Sequence, residues 1–277
     1  MTEKSFNRRY VQLPTRKNLF FFAKNTPEYN EKIKEFQSIA EESGFTIVED
    51  VNQANIIASL GGDNAFLQAL RKTNFKEDCV YIGVSTDKPG FYTDFTMEDM
   101  TMMIEAIKNE EVEVRRYPTI EVTIDDDSPF YCINECSIRS NVIKTFVIDV
   151  YIDDLQFETF RGDGMIISTP TGSTAYNKSV NGAVVDPLLP SMQVSEIASL
   201  NNNDFRTLGT SFLLSPERTL LLKVVQDGND HPIIGLDNEA LSIRHSKEIN
   251  IRLSGKYIKV LKLKNNSFWQ KVQRKFL

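Results

Sequence analysis

The stretch Asn55-Ile-Ile-Ala-Ser-Leu-Gly-Gly-Asp-Asn-Ala-Phe-Leu-Gln-Ala-Leu70 decides how the first part of the chain folds. Asn55 to Leu60 is a short apolar run of strand type, and Phe66, Leu67 and Leu70 fall on one face of a helix. Between them, Gly61 and Gly62 let the backbone approach a phosphate closely, and the N-terminus of the helix favours an anion. Asp63 stands beside that place. A carboxylate next to a phosphate is repelled unless it takes a proton, orients a hydroxyl or meets a cation. That combination is what phosphoryl transfer to an alcohol requires. The plainer reading is that Asp63 caps its helix, a common role for Asp. No Walker-type lysine loop occurs in the chain, so any ATP site is of another kind.

The alternation continues on both sides. Asn18 to Ala23, Phe45 to Val48 and Val80 to Val84 read as strands. Thr26 is an N-cap with Pro27 at the first helical position and Glu28 in the first turn. Ile33, Phe36, Ile39 and Ala40 recur at helical spacing, and Gly44 ends that helix. Thr96 is expected to cap a helix carrying Met100, Met103, Ile104 and Ile107. This order implies a mostly parallel sheet covered by helices.

Near residue 111 the pattern changes. Thr119-Ile-Glu-Val-Thr-Ile124 alternates as a half-buried antiparallel strand does, Asp125-Asp-Asp-Ser-Pro129 is a turn, and Phe130 to Ile138 returns. Phe146 to Ile152 and Leu155 to Phe160 read as a hairpin around Asp153-Asp154. Further strands are expected at Leu220 to Val225, Ile233 to Leu236, Ile249 to Leu253 and Tyr257 to Leu263. In the last, a slip of the apolar phase between Val260 and Leu261 suggests a bulge. The tail Phe268 to Phe276 reads as a short amphipathic helix docked on its own domain.

At 277 residues and 41% hydrophobic content, a sizeable core can be buried. A net charge of −6 argues against a nucleic-acid partner, whose phosphate backbone needs basic surface. Met1 to Tyr10 lacks the apolar core of a signal peptide, and no apolar run approaches the ~20 residues of a membrane helix. Cys79, Cys132 and Cys136 fit neither a disulfide framework nor a zinc site. With only His231 and His245, histidine-based chemistry is disfavoured. The expectation is a cytoplasmic protein with no membrane partner.

Two further segments carry chemical groups. Arg161-Gly-Asp-Gly-Met-Ile-Ile-Ser-Thr-Pro-Thr-Gly-Ser-Thr-Ala-Tyr176 holds five hydroxyls within seven positions, Ser168 to Thr174, with Asp163 before them and Tyr176 after. Little bulk and many hydrogen-bonding groups suit a polar ligand such as a nucleotide; such composition also makes ordinary turns. Asn134-Glu135 interrupts the apolar run Phe130 to Ile138. Burying those side chains is costly without partners, which the vicinal hydroxyls of a ribose would supply, whereas a strand end at solvent would need none.

Gly61-Gly-Asp63, Asn134-Glu135 and Gly162 to Tyr176 occur in the order seen in NAD kinases, and the chain resembles that family, its Bacillus-type bacterial members above all. The long third segment is the specific one; GGD alone is shared with diacylglycerol kinases and phosphofructokinases. The resemblance extends over Asn177-Lys-Ser-Val-Asn-Gly-Ala183 and the Phe268-Trp269 region. It implies an α/β plus all-β fold: a Rossmann-like α/β domain with a parallel sheet, residues 1–112, and a β-rich, β-sandwich-like NAD-binding domain with the C-terminal tail, residues 113–277.

The resemblance implies transfer of the γ-phosphoryl group of ATP to the 2′-hydroxyl of the adenosine ribose of NAD, with Mg²⁺ or another divalent cation accompanying ATP. Asp63 matches the catalytic aspartate, and Gly61, Gly62, Asp63 and Asn64 the phosphate loop. Asn134 and Glu135 match residues that hold the adenosine, and Asp163 one that accepts from the nicotinamide carboxamide. Thr174, Ala175 and Tyr176 line the base pockets with Ser179 nearby, and Asn64 and Arg161 are assigned to the NAD site. No side chain is assigned to a metal. A homodimer or homotetramer is expected, as in the family. The family usually has Gly where this chain has Asn64. Asn tolerates left-handed backbone, so the turn can form, but its side chain would narrow the loop or add a donor. Two other readings stay open: a GGD-loop kinase of a lipid or sugar phosphate, and a non-catalytic NAD(P) sensor that keeps the pocket.

Overall fold

The computed structural model describes residues 17–225, 232–242 and 247–277. The stretch Met1 to Tyr10 and both histidines, His231 and His245, lie outside the described residues. The chain divides into two compact units, Met1–Arg116 with Ile258–Leu277, and Tyr117–Tyr257.

The first unit begins β1 (Asn18–Phe22), α1 (Pro27–Glu42), β2 (Thr46–Ile47), β3 (Ile56–Leu60), α2 (Gly62–Lys72), β4 (Val80–Ser85), β5 (Thr93–Thr96) and α3 (Met100–Lys108). The strands lie in the order β2-β1-β3-β4, all parallel, and β5 joins β4 in parallel. Thr26 caps α1 by accepting the Tyr29 N–H at 3.5 Å, with Pro27 first in the helix. Gly44 follows α1 at φ +84°, a turn that favours glycine. Phe36, Ala40, Met100, Met103 and Ile104 pack with Ile56, Ala58, Leu60, Val80, Ile82 and Val84 in one core. Every residue of β3 and β4 is buried, as expected of a parallel sheet with both faces covered. Thr96 does not cap α3 directly; the helix starts at Met100, and the Thr96 hydroxyl donates to Asp99 Oδ2 at 2.8 Å.

The second unit contains β6 (Val112–Ile124) from Tyr117 onward, β7 (Phe130–Cys132), β8 (Glu135–Arg139), β9 (Phe146–Ile152), β10 (Leu155–Gly162), β11 (Gly164–Ser168), the short α4 (Tyr176–Ser179), β12 (Met192–Ile197), β13 (Phe212–Leu214), β14 (Thr219–Val224), β15 (Ile233–Leu236), β16 (Glu239–Ser242) and β17 (Glu248–Leu263) through Tyr257. One antiparallel sheet has the order β13-β12-β11-β8-β15-β16. Against it lies a second set, β10-β9-β14-β17, with β6 paired to β17 and β7. Ile120, Val122, Ile148, Val150, Leu220, Leu222, Ile249 and Ile251 from that set meet Cys136, Ile138, Met165, Ile167, Met192, Val194, Ile234 and Leu236 from the first sheet in one apolar core. That arrangement is a β-sandwich.

Three expectations are modified. Phe130 to Ile138 is two strands, broken at Ile133-Asn134. The strands expected at Ile249 to Leu253 and Tyr257 to Leu263 are one continuous strand, β17. At its phase slip Val260, Leu261 and Lys262 are all buried, and the strand pairs with β4 in parallel through Lys259 and Val260. The terminal helix, α5 (Phe268–Phe276), belongs with β17 from Ile258 onward to the first unit and not to the β-rich one. Its buried Lys271 reaches Asp94 and Phe91 there.

Candidate functional site

In the first unit the site is a turn with two left-handed glycines. Gly61 has φ +126° and Gly62 φ +85°, so the chain leaves β3 and enters α2 through a path few side chains accept. Asp63 does not cap its helix. Its carboxylate turns to the segment before β5, where Oδ2 accepts the Phe91 N–H at 2.8 Å and Oδ1 the Tyr92 N–H at 3.0 Å, with the Thr93 hydroxyl at 3.5 Å. Gly90 makes this approach possible, since a β-carbon there would lie 2.2 Å from Asp63 Oδ1. Tyr92 is held in turn by Phe66, whose ring stacks on it at 4.8 Å. Asn64 corrects an expectation. It lies within α2, exposed, and is not among the residues with positive φ. The left-handed positions are Gly61 and Gly62, so Asn64 is under no backbone strain.

In the second unit Asn134 and Glu135 stand at the break before β8, both largely buried. The break is held by Asp237, in the turn between β15 and β16. Its carboxylate accepts the N–H groups of Ile133 at 3.1 Å, Asn134 at 2.7 Å and Glu135 at 3.1 Å. Glu135 receives the backbone N–H of Tyr176, while its Oε2 is buried with no hydrogen-bond partner among the described residues. Burial, then the charge of Asp237, raises the Glu135 pKa to about 8. The carboxyl is therefore poised to change charge near neutral pH.

The segment from Ser168 to Thr174 packs directly on this break. The Thr169 and Thr171 hydroxyls donate to the Ile133 carbonyl at 2.5 and 2.9 Å, and the Thr169 N–H to the Asn134 carbonyl at 2.8 Å. A β-carbon on Gly172 would lie 2.0 Å from that same Asn134 oxygen. Ser173 donates to Pro170 O at 2.6 Å and accepts from Val185 N at 2.9 Å, and Thr174 donates to Thr171 O at 3.1 Å. The Thr169 and Thr171 hydroxyls thus hold the loop on Ile133, those of Ser173 and Thr174 brace the loop itself, and the buried Ser168 hydroxyl has no hydrogen-bond partner among the described residues. Ala175 and Tyr176 are half-buried beyond them, and Ser179 is exposed with its hydroxyl on Tyr176 O at 2.6 Å. Asp163, between β10 and β11, is exposed. The Arg161 guanidinium lies 4.3 Å from the centre of the Phe205 ring, a cation–π contact that directs it to that ring. Asn134, Glu135 and Thr174 to Tyr176 are therefore brought together.

The family model of the ATP-NAD kinase C-terminal domain matches residues 133–263, a span containing the Asn134 break, its loop and Asp237. A protein named NAD kinase 2 from Halalkalibacterium halodurans is 68% identical over 262 residues, covering 95% of this chain and 99% of its own. The chain belongs to the NAD kinase family. The NAD kinase 2 of Bacillus subtilis is 64% identical over 263 residues, covering 95% of this chain and 98% of its own. The fold is also that of solved family members. Yeast NADH kinase complexed with NADH gives a TM-score of 0.79 at 17% identity, covering 96% of this chain and 92% of that one. An Archaeoglobus fulgidus NAD kinase in complex with ATP gives 0.72 at 22% identity, covering 94% and 97%.

For a member of the NAD kinase family, the sequence reading leaves out Gly90 to Thr93 and Asp237. Both groups act through backbone N–H donors and a carboxylate far away in sequence, which no local pattern announces. A weak signal exists for each: Gly90 follows Pro89, and Asp237 ends an apolar strand at a turn. Among the described residues, no three His, Cys, Asp or Glu side chains gather as metal ligands. No helix among them is long and apolar enough to cross a membrane.

Proposed function

We propose that the protein transfers the γ-phosphoryl group of ATP to the 2′-hydroxyl of the adenosine ribose of NAD, forming NADP. The observation that carries this reading is Asp63: it follows two left-handed glycines and is aimed away from its own helix by the Phe91 and Tyr92 N–H groups. Carboxylates are too weakly basic to strip an alcohol in the ground state. Asp63 instead orients the hydroxyl and takes its proton late, along a loose phosphoryl transfer. Gly61 and Gly62 leave room for phosphate oxygens. Mg²⁺ arrives with ATP as part of the substrate and neutralises its charge.

Asn134 and Glu135 hold the adenosine of NAD. The unmatched buried oxygen of Glu135 supports this, because a ribose hydroxyl would satisfy it. Thr174, Ala175 and Tyr176 line the base pockets near Ser179, and Asp163 accepts from the carboxamide. Arg161 keeps a place at the edge of the NAD site through its contact with Phe205. A homodimer or homotetramer in the cytoplasm completes the reading. Leu188, Leu189, Leu200, Leu208 and Leu213, all exposed on the second unit, support association.

The test is a coupled assay for NADP with ATP, Mg²⁺ and NAD, run on the wild type and on Asp63→Asn. Wild type forms NADP, and Asp63→Asn reduces turnover to a residual rate while still binding NAD. Binding without NADP formation by the wild type would establish a sensor. Asn64, which raised that reading, is an exposed helical residue outside the turn. Phosphorylation of a lipid or sugar phosphate in place of NAD would establish the other kinase reading.

A further inference from the structure

Two buried lysines of the first unit have no part in the site so far described. Lys262 on β17 is fully buried, and Lys271 on α5 is 2% exposed. Both Nζ groups donate to the same two acceptors. Lys262 Nζ lies 2.8 Å from Phe91 O and 3.2 Å from Asp94 Oδ1. Lys271 Nζ lies 2.9 Å from Phe91 O and also donates to Asp94 Oδ1. Asp94 Oδ2 accepts the Leu263 N–H at 2.8 Å. Burial, then the neighbouring Lys271, holds Lys262 well below the ordinary lysine range. Burial works against the Asp94 carboxylate, but the two lysines outweigh it and hold its pKa low.

Two lysine Nζ groups around one buried carboxylate are poorly suited to packing alone, since apolar side chains of similar volume fill such space at no electrostatic cost. What distinguishes the arrangement is the carbonyl of Phe91. It belongs to the same amide as the Tyr92 N–H, which donates to Asp63 Oδ1 at 3.0 Å. N–H donors on an amide oxygen draw electron density from its nitrogen and strengthen the bond its own N–H makes. The preceding N–H, of Phe91, donates to Asp63 Oδ2. The Phe91 ring is held as well, 5.8 Å from Phe268 and 6.0 Å from Phe276, with Lys275 Nζ 5.4 Å from its centre. Every one of these groups lies on β17 or α5.

We propose that Lys262 and Lys271 are positioning residues for Asp63, acting through the Phe91–Tyr92 amide, so that the terminal helix fixes the carboxylate that meets the substrate hydroxyl. This rests on the reading of Asp63 as the catalytic residue.

Lys271→Met keeps the apolar stem and removes the ammonium group. In the full-length protein, kcat falls on the order of tenfold, while KM for NAD and for MgATP stays within about twofold. Added to Asp63→Asn, Lys271→Met gives no further fall, because both act through one group. Phe276→Ala, at a position 39% exposed, loosens Phe91 without entering the core and lowers kcat about threefold with KM unchanged. A wild-type kcat in Lys271→Met, a loss confined to KM, or losses that multiply with Asp63→Asn overturn the proposal. Should Lys271→Met fail to fold, as circular dichroism reports, Phe276→Ala decides: a wild-type kcat there overturns the proposal. Normal turnover by Asp63→Asn alone is a separate outcome, which overturns the catalytic reading of Asp63 itself.

Discussion

The Asp237 carboxylate accepts the Asn134 N–H at 2.7 Å, joining the turn after β15 to the strand break that carries the candidate adenosine contacts. The same oxygen takes Glu135 N–H and the other oxygen Ile133 N–H, so three donors depend on one side chain. Asp237→Ala leaves them without that acceptor. It is expected to lower stability by about 2–4 kcal/mol, as urea denaturation measures, and to raise KM for NAD more than KM for ATP. Equal effects on both KM values would detach Asp237 from the NAD contacts.

Gly90 is set by the space it leaves. A methyl group there meets the Asp63 carboxylate at 2.2 Å and must displace it. Gly90→Ala is therefore expected to lower kcat by roughly a hundredfold, the scale of an ångström's misplacement of a reacting group. NAD affinity, measured by calorimetry, stays near the wild-type value. A Gly90→Ala protein with unchanged kcat would show that the position of Asp63 is not critical.

Glu135 makes stability depend on pH. Its pKa is about 8 in the fold, against an ordinary value of 4.5 for a glutamate. Between those values the folded state holds a proton that the unfolded chain has lost. Its contribution is thus complete below pH 4.5 and is lost as pH rises to 8, at up to about 1.4 kcal/mol per pH unit. Glu135→Gln, which stays neutral, lacks this slope. The stability difference between the two proteins, followed by thermal melting from pH 5 to pH 9, is expected to move against the wild type as pH rises and to level off above the folded pKa. A difference that stays constant across the range rejects the shift.

Binding of NAD gives the same group a second readout. A ribose hydroxyl donating to Glu135 favours the carboxylate, so binding releases protons near neutral pH and tightens as pH rises toward 8. Calorimetry in buffers of different ionisation enthalpy measures the release. Its absence in wild type, or its presence in Glu135→Gln, argues against that contact.

Asn64→Gly restores the residue usual in the family. The position is helical and exposed, so the change costs less than about 0.5 kcal/mol and leaves kcat within about twofold. A gain in turnover of tenfold or more would mean that the Asn64 side chain does restrict the phosphate loop.

Local pattern was enough to read some of this and not the rest. The passage from β3 through Gly61-Gly62 into α2 is written in adjacent residues, and so is the Thr26 cap. The hydroxyls from Ser168 to Thr174 were legible as a cluster, but their distant partners were not: Ile133 O takes the Thr169 and Thr171 hydroxyls, and Ser173 accepts the Val185 N–H. The assignment of α5 also depends on distance: Lys271 meets Asp94 across 177 residues. Lys262, within Val260-Leu261-Lys262-Leu263, is fully buried, and a buried lysine is intelligible only once its carboxylate is known.

The late position of β17 and α5 has a consequence for how the protein is made. Asp94 leaves the ribosome long before Lys262 and Lys271, which lie 168 and 177 residues further on. Until both emerge, the parallel sheet lacks β17 beside β4, and Asp94 lacks the lysines that make its burial tolerable. The β-rich unit, contained within Tyr117–Tyr257, waits nearly as long, since its sandwich includes β17 as far as Tyr257. During synthesis both units therefore close late, and the Gly61–Gly62 turn acquires its final surroundings only when translation has passed Lys271.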